Sequence, residues 1–282
     1  MKRRKGWSVA VAALTAAVVS CAPTVNLLNP TSPRFEGAYA GAVPAAPTAY
    51  PERVRVVSFN IKLADQIGRA IEVLQQNPLT GADVISLQEM DESGVERIAR
   101  ALHLNYIYYP GAIHPTRHRY FGPAILTPWP ISETRKLILP HEGWGRHQMR
   151  DVTAATITIR GSCLRVYAVH LETQLKASPK DREDQVDTVL ADAATTHCPV
   201  VVAGDFNSKG IGYYLERQGF AWPTQHVGKT ISIFSWDHIF ARGLNLPDSA
   251  VAGKLREVRG ASDHLPIWAT LMLPRPALIA RP

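Results

Sequence analysis

Cysteine is scarce: the 282 residues hold three, and one of them, Cys21, closes the N-terminal hydrophobic stretch. Only Cys163 and Cys198 remain beyond it, so the body of the chain can carry at most one internal disulfide and must rely on a hydrophobic core. No second long hydrophobic run follows, which excludes a bundle of membrane-spanning helices. No internal repeat is visible, which excludes a solenoid. A strong charge bias is missing too. The formal net charge is +7, but residues 1–20 contribute four basic residues and no acid, which leaves +3 for the remainder. So slight a balance neither demands nor excludes nucleic acid as a partner. The histidines form no helical zinc pattern, since His141 and His147, flanking Glu142, are split by Gly143 and Gly145.

The N-terminus carries a targeting signal. Met1-Lys2-Arg3-Arg4-Lys5 is a basic n-region, and Trp7 to Val19 is an uncharged, Ala/Val-rich h-region too short to span a bilayer comfortably. Residues 1–20 therefore read as a signal peptide. The end of this stretch, Val18-Val19-Ser20-Cys21, resembles a bacterial lipobox, with Val18 where leucine is usual. On that reading Cys21 is diacylated, becomes the mature N-terminus and anchors the chain, since each buried methylene contributes about 0.8 kcal/mol. The protein is then exported to the bacterial cell envelope, facing the periplasm or the exterior. The other reading is a secretory signal cleaved nearby, with Cys21 an incidental thiol. Residues 21–50, rich in Ala, Pro, Thr and Gly and without helical or alternating period, read as a flexible tether. Residues 51–282 suit one large α/β domain, expected to be a monomer.

Within that domain, chemistry-bearing side chains sit at the ends of apolar runs. Val54 to Phe59 ends in Asn60, Asp83 to Gln88 ends in Glu89, and Leu164 to Val169 ends in His170. Pro199 to Ala203 leads through Gly204 to Asp205, Phe206 and Asn207. Ser235-Trp236 leads into Asp237-His238-Ile239-Phe240, and Ser262-Asp263-His264 opens the run Leu265 to Leu273. Continuous apolar runs read as strands buried on both faces, and open α/β sheets place their chemistry at the strands' carboxyl ends. Carboxylates, amides and imidazoles gathered there suggest a hard-metal phosphate site.

Between the runs, Ile67, Ala70, Ile71 and Leu74 share a helical face ended by Asn77-Pro78, and a second helix is expected near Ser93 to Leu102. Strands follow at Phe121–Thr127, Ile131–Leu137 and Asp151–Arg160, the last alternating Thr with apolar residues as a half-buried antiparallel strand does. Ser178 reads as an N-cap with Pro179 at the first helical position. This strand–helix–strand unit implies parallel strands, which sets Cys163 and Cys198 level at the end far from the site. They either form a disulfide or remain two buried thiols.

The ordered set from Asn60 to His264 resembles the endonuclease/exonuclease/phosphatase superfamily, typified by deoxyribonuclease I, over about Val54 to Leu273. The resemblance implies an α/β fold in which two mixed β-sheets pack face to face with helices outside, a four-layer sandwich. It implies Glu89 as the main metal ligand, with Asp263 and Asn60 completing a site for Mg2+, or for Mn2+ or Ca2+. It also implies a catalytic group of His170, Asp205, Asn207, Asp237 and His264. Asp205 and Asn207 are expected on one side of an extended chain, the acid holding or deprotonating the attacking water and the amide donating to a phosphoryl oxygen. Asp237 is expected to orient His264, and His170 to serve as donor or as the leaving group's acid. Many members orient the second imidazole with a carboxylate. Glu172 is near enough in sequence, but it shares the face of His170 only if the strand runs on straight.

Arg119 and Tyr120, before the Gly122-Pro123-Ala124-Ile125-Leu126 strand, are candidate substrate-binding residues; for Tyr120 the alternative is an aromatic packed on the domain edge. Arg117, His118, Arg119, Arg146, His147 and Arg150 read either as a phosphate-facing rim or as solvated loop charges. The leading expectation is an exported, metal-dependent phosphodiesterase acting on nucleic acid as an endonuclease does. The alternatives are a phospholipid or sphingomyelin-type phosphodiesterase, favoured by an anchor and by Trp129, Trp144 and Trp222 in loops, and a catalytically silent surface-binding lipoprotein.

Overall fold

The computed structural model describes residues 24–41, 52–247 and 252–274. The expected signal peptide and Cys21 fall outside the described residues. The chain opens with two short strands, β1 (Val25–Asn26) and β2 (Phe35–Gly37), then β3 (Glu52–Asn60), α1 (Ile67–Leu74), β4 (Val84–Met90) and α2 (Glu92–Leu102). Next come β5 (Asn105–Tyr108), β6 (Ala112–Ile113), β7 (Tyr120–Thr127), β8 (Ile131–Ile138), β9 (Asp151–Ile159) and β10 (Ser162–His170). The last part runs α3 (Pro179–Ala193), β11 (Val200–Asp205), α4 (Gly210–Arg217), β12 (Asp237–Arg242), β13 (Ala252–Lys254) and β14 (Ile267–Leu273).

Among the described residues the strands form two sheets. One has nine strands, with the path β1-β6-β7-β4-β3-β14-β13 and a branch through β5 and β2; the other has five, in the order β12-β11-β10-β9-β8. Each is mixed, with one parallel pair: β3 with β4, and β10 with β11. Both pairs are joined by helical crossovers, as parallel connection requires. Alternation along each strand separates the layers. Val54 and Val56 of β3 face the other sheet, whereas Val57 and Phe59 face α1 and α2. Likewise Val201 and Ala203 of β11 face inward, while Val200 and Val202 lie under α3 and α4. The result is the four-layer sandwich, helices outside and an apolar core between the sheets.

One strand departs from expectation. β9 is buried on both faces rather than half-buried, because Ala155 and Ile157 enter the inter-sheet core while Val152 and Ala154 lie in the helix-covered layer. Its threonines are tolerated because their hydroxyls are satisfied, Thr153 donating to the Pro123 carbonyl (2.6 Å) and Thr156 to Glu133 (2.9 Å).

A second correction concerns residues 24–41, expected as part of a tether. They instead lie against the domain: β1 pairs with β6 and β2 with β5, and Phe35 packs on Tyr108 and Tyr120. Asn26 grips the loop before β9, donating to the His147 carbonyl (2.7 Å) and accepting from the Met149 amide (2.9 Å). Composition hid this because an edge strand of two or three residues leaves no periodicity to read.

Ser178 forms a full capping box with Asp181 and starts α3, with Pro179 in the first turn. The register that sets His170 beside Asp205 also brings Cys163 and Cys198 together at the other end, where they form a disulfide with Cα atoms 5.4 Å apart. Alkylation of unreduced, unfolded protein should therefore label neither residue. Replacing both with serine should lower the unfolding free energy in urea by about 3–4 kcal/mol.

Candidate active site

The two parallel pairs end on the same edge of the sandwich. β3 and β4 bring Asn60 and Glu89 there, and β10 and β11 bring His170 and Asp205 in direct register. The antiparallel neighbours supply their starts instead: Asp237 opens β12 opposite Asp205, and Asp263-His264 precede β14. Close approach of β10 and β11 needs Gly204, since a Cβ there would lie 1.9 Å from the Val169 carbonyl oxygen. Glu89 is re-aimed by a register shift between Leu87 and Met90, and it takes a left-handed φ of 59°. Such bulges recur where a strand must turn one side chain out of the sheet.

At the centre lies Asp205, 2% exposed. Its Oδ1 accepts the Asn207 amide at 2.8 Å. Its Oδ2 accepts from Asn60 Nδ2 at 3.1 Å, and that same amide nitrogen lies 3.3 Å from Glu89 Oε1. Asn60 thus joins the two sheets. The Nε2 atoms of His170 and His264 face Asp205 Oδ2 at 3.6 and 3.7 Å. His264 Nδ1 lies 2.9 Å from Asp237 Oδ2, with Asp237 Oδ1 left without a protein partner.

Burial first, and then the Asp237 charge, push the Asp205 carboxyl up to about 7, against the pull of His264 and the Asn207 and Asn60 hydrogen bonds. The two imidazoles diverge. Burial alone would lower His264, but the Asp237 carboxylate and its hydrogen bond, with Asp205 beyond, raise it to about 10. His170 is held well below the ordinary imidazole range, by burial and then by the Arg150 guanidinium. A buried acid near neutrality beside one charged and one neutral imidazole can accept a proton and donate to an anion.

Asp205, Asp237 and His264 present ligand atoms within 4.8 Å of one another. With Nδ1 engaged by Asp237 and the ring held cationic, His264 is arranged to keep a proton rather than an ion. The carboxylate oxygens of Glu89 and Asp263 are the better fit for a hard cation; Asn60 turns its Nδ2 towards Glu89, and its Oδ1 accepts the Lys62 amide at 3.0 Å, so it orients the site rather than offering its oxygen. Lys62 Nζ lies 3.2 Å from Asp263 Oδ2, and the Ser262 hydroxyl ties that loop to the Asn60 carbonyl at 2.7 Å.

Other expected residues take different places. Asn207 does not continue the strand: β11 ends at Asp205, Asn207 has a φ of 49°, and its side chain donates to the Leu171 carbonyl at 3.0 Å. Arg119 is bound to Asp91 at 2.6 Å and to the Leu63 carbonyl at 3.0 Å, so it braces the loop after β3. Tyr120 packs on Phe35. In the expected basic rim, Arg117 pairs with Asp65 and His147 with Glu142. Arg150 is buried, in a salt bridge with Glu172. That last pair was legible only as an Arg one residue before a strand whose antiparallel partner ends in His-Leu-Glu. Of the three loop tryptophans, Trp129 and Trp222 are buried and Trp144 is exposed.

The endonuclease/exonuclease/phosphatase family model matches residues 57–264. No curated protein matches the sequence significantly. Among solved structures, an endonuclease/exonuclease/phosphatase from Beutenbergia cavernae DSM 12333 is 20% identical, with a TM-score of 0.62 over 79% of this chain and 72% of that one. TDP2 from D. rerio, complexed with a single-strand DNA product, is 19% identical with a TM-score of 0.59, over 78% of this chain and 98% of that one. The mannosyl-6-phosphatase Bt3783 of Bacteroides thetaiotaomicron VPI-5482 is 17% identical with a TM-score of 0.58, over 78% of this chain and all of that one.

The raised Asp205 carboxyl has a consequence for metal-free protein. Its folded value of about 7 exceeds the ordinary aspartate value of 3.8, so ionisation of the unfolded chain alone costs stability between those two values. Asp205→Asn should leave the melting temperature in EDTA unchanged below about pH 4. The variant should gain progressively on wild type above that, and hold a constant gain of several degrees above pH 7. Thermal melts across that range check the sign.

Proposed function

The chain belongs to the endonuclease/exonuclease/phosphatase family, and we propose that it is an exported, divalent-metal-dependent phosphodiesterase acting on nucleic acid. The observation that carries the reading is a buried Asp205 that faces the Nε2 atoms of His170 and His264 and accepts from Asn60, whose amide also reaches Glu89. Mg2+, or Mn2+ or Ca2+, held by the carboxylates of Glu89 and Asp263, with Asn60 steadying Glu89, would neutralise phosphoryl and leaving-group oxygens. Asp205 positions a water and accepts its proton as the oxygen attacks phosphorus in line with the leaving oxygen. Cationic His264, steadied by Asp237, compensates charge gathering on the phosphoryl oxygens. His170 Nε2–H and the remaining amide hydrogen of Asn207 donate to the same group. The whole catalytic set is present, which argues against a silent binding protein.

Nucleic acid is favoured as substrate by the TDP2 relative seen with a DNA product. One observation favours a lipid phosphodiester as the second reading: Trp144, Leu175, Ile233 and Phe234 are exposed apolar side chains on loops. The Trp144 amide bonds the Lys176 carbonyl, and Gln174 shares a cleft with Ile233 and Phe234. The signal peptide and Cys21 anchor are part of the proposal. Palmitate labelling of the wild type that vanishes in Cys21→Ser supports the anchor, and unchanged labelling removes it.

Purified protein spanning residues 21–282, which retains β1 and β2, should nick supercoiled plasmid with Mg2+ and not with EDTA. Asp205→Ala should be slower by at least about 100-fold. Folded, metal-bound protein that leaves plasmid intact and cleaves phospholipid vesicles would move the assignment to the lipid reading.

A further inference from the structure

His170 is oriented by a cation rather than a carboxylate. Arg150 Nη1 lies 3.2 Å from His170 Nδ1, and both side chains are buried. A guanidinium has only donors and keeps its proton at any ordinary pH, so the imidazole atom facing it must be a bare lone pair. The ring proton then sits on Nε2, the atom that faces Asp205 Oδ2 at 3.6 Å. A second proton on Nδ1 would set N–H against N–H and one positive charge against another.

The guanidinium cannot swing away. Its Nε donates to Glu172 Oε2 at 3.0 Å and its Nη2 to Glu172 Oε1 at 3.2 Å, a two-point fork. Glu172, fully buried, also accepts the Thr173 amide at 2.8 Å, and its own amide bonds Gln185 Oε1 at 3.1 Å. The loop above needs Gly143, where a Cβ would fall 2.7 Å from Glu172 Oε2. Phe121 closes the remaining side, with the Arg150 guanidinium 5.6 Å from its ring centre and the His170 ring at 6.0 Å.

We propose that Arg150, locked by Glu172, is a positioning residue that holds His170 as the neutral Nε2–H tautomer, so that His170 donates a hydrogen bond to the phosphoryl group and does not protonate the leaving group. This rests on the phosphoester-hydrolase reading above. It deepens that reading by taking His170 out of the proton transfers, with Asp205 accepting the proton of the attacking water. A neutral imidazole N–H is a far weaker acid than an imidazolium, and giving up its proton would leave an imidazolate facing the Asp205 carboxylate, whereas as a fixed donor it can stabilise a developing oxyanion. The low proton affinity of the ring agrees with this, with burial its first cause and Arg150 its second.

Two measurements test it. Long-range proton–nitrogen spectra of histidine-labelled protein should show His170 with a protonated Nε2 and a bare Nδ1 from about pH 5 to 8. Arg150→Gln, whose amide can turn its oxygen to the ring, should shift the tautomer balance, and Arg150→Lys, which can only donate, should preserve it. A protonated Nδ1 in wild type, or a tautomer indifferent to Arg150→Gln, overturns the proposal. If Arg150→Gln does not fold, the wild-type and Arg150→Lys spectra decide. The second measurement is kinetic. His170→Ala should lose roughly the same factor, on the order of 100-fold, with a p-nitrophenyl diester and with an alkyl diester. A loss confined to the alkyl ester would identify His170 as the leaving group's acid. Failure of every phosphoester to turn over would defeat the functional reading and leave the spectra to decide the tautomer.

Discussion

The structure turns on one buried carboxylate. Asp205 comes from the five-stranded sheet, yet its Oδ2 accepts from Asn60 of the nine-stranded sheet, whose amide also reaches Glu89. A charge taken out of water needs partners placed to within a few tenths of an ångström. The edge of the sandwich is therefore drawn together around this residue. The Ser86 hydroxyl, donating to the Ala203 carbonyl at 2.9 Å, adds a second link between the sheets two residues before Asp205. Stability and chemistry conflict here. The environment that makes Asp205 a base near neutrality is the one that makes its ionised form costly to fold.

The two imidazoles beside Asp205 show how one fold sets one residue type to opposite states. His264 meets a carboxylate through Nδ1 and is held as a cation; His170 meets a guanidinium through Nδ1 and is held neutral. Neither outcome depends on the histidines themselves. Linkage then differs between them. The His264 pairing stabilises the fold fully below the ordinary imidazole value of 6.5, and that contribution fades as pH rises towards about 10.

The loops around this centre are more tightly held than their composition suggests. Arg117 and Arg119 converge on Asp65 and Asp91, which fixes the segment after β3 that bears Lys62 and Leu63. The Leu63 amide in turn donates to Glu89 Oε2 at 2.9 Å. On the other side, β1 steadies the loop leading to Arg150, with the Thr24 amide donating to the Arg146 carbonyl at 2.8 Å. Arg117, Arg119 and Arg150, which look like part of a substrate-facing rim, therefore serve to hold the scaffold. Exposed apolar side chains among the described residues include Trp144, Leu175, Ile233 and Phe234, the last stacked on Trp236.

The set of strands, and what stands at their ends, can be read along the chain. Buried runs such as Val54 to Phe59 and Pro199 to Ala203 are legible because burial on both faces demands unbroken hydrophobicity, and the polar residue that stops each run marks the edge of the sheet. The strand–helix–strand period of β10, α3 and β11 likewise sets Cys163 level with Cys198, although sequence alone left open whether they bond. The tertiary structure decided the rest. It seated residues 24–41 on the nine-stranded sheet, turned Asn207 back on the Leu171 carbonyl, and buried Trp129 and Trp222 while exposing Trp144. It placed Arg150 between Glu172 and His170, where a basic residue in a polar loop had looked solvated. These outcomes depend on which atoms meet across strand pairs and between sheets. Hydrogen-bond direction and burial are properties of that meeting, and no periodicity along the chain encodes them.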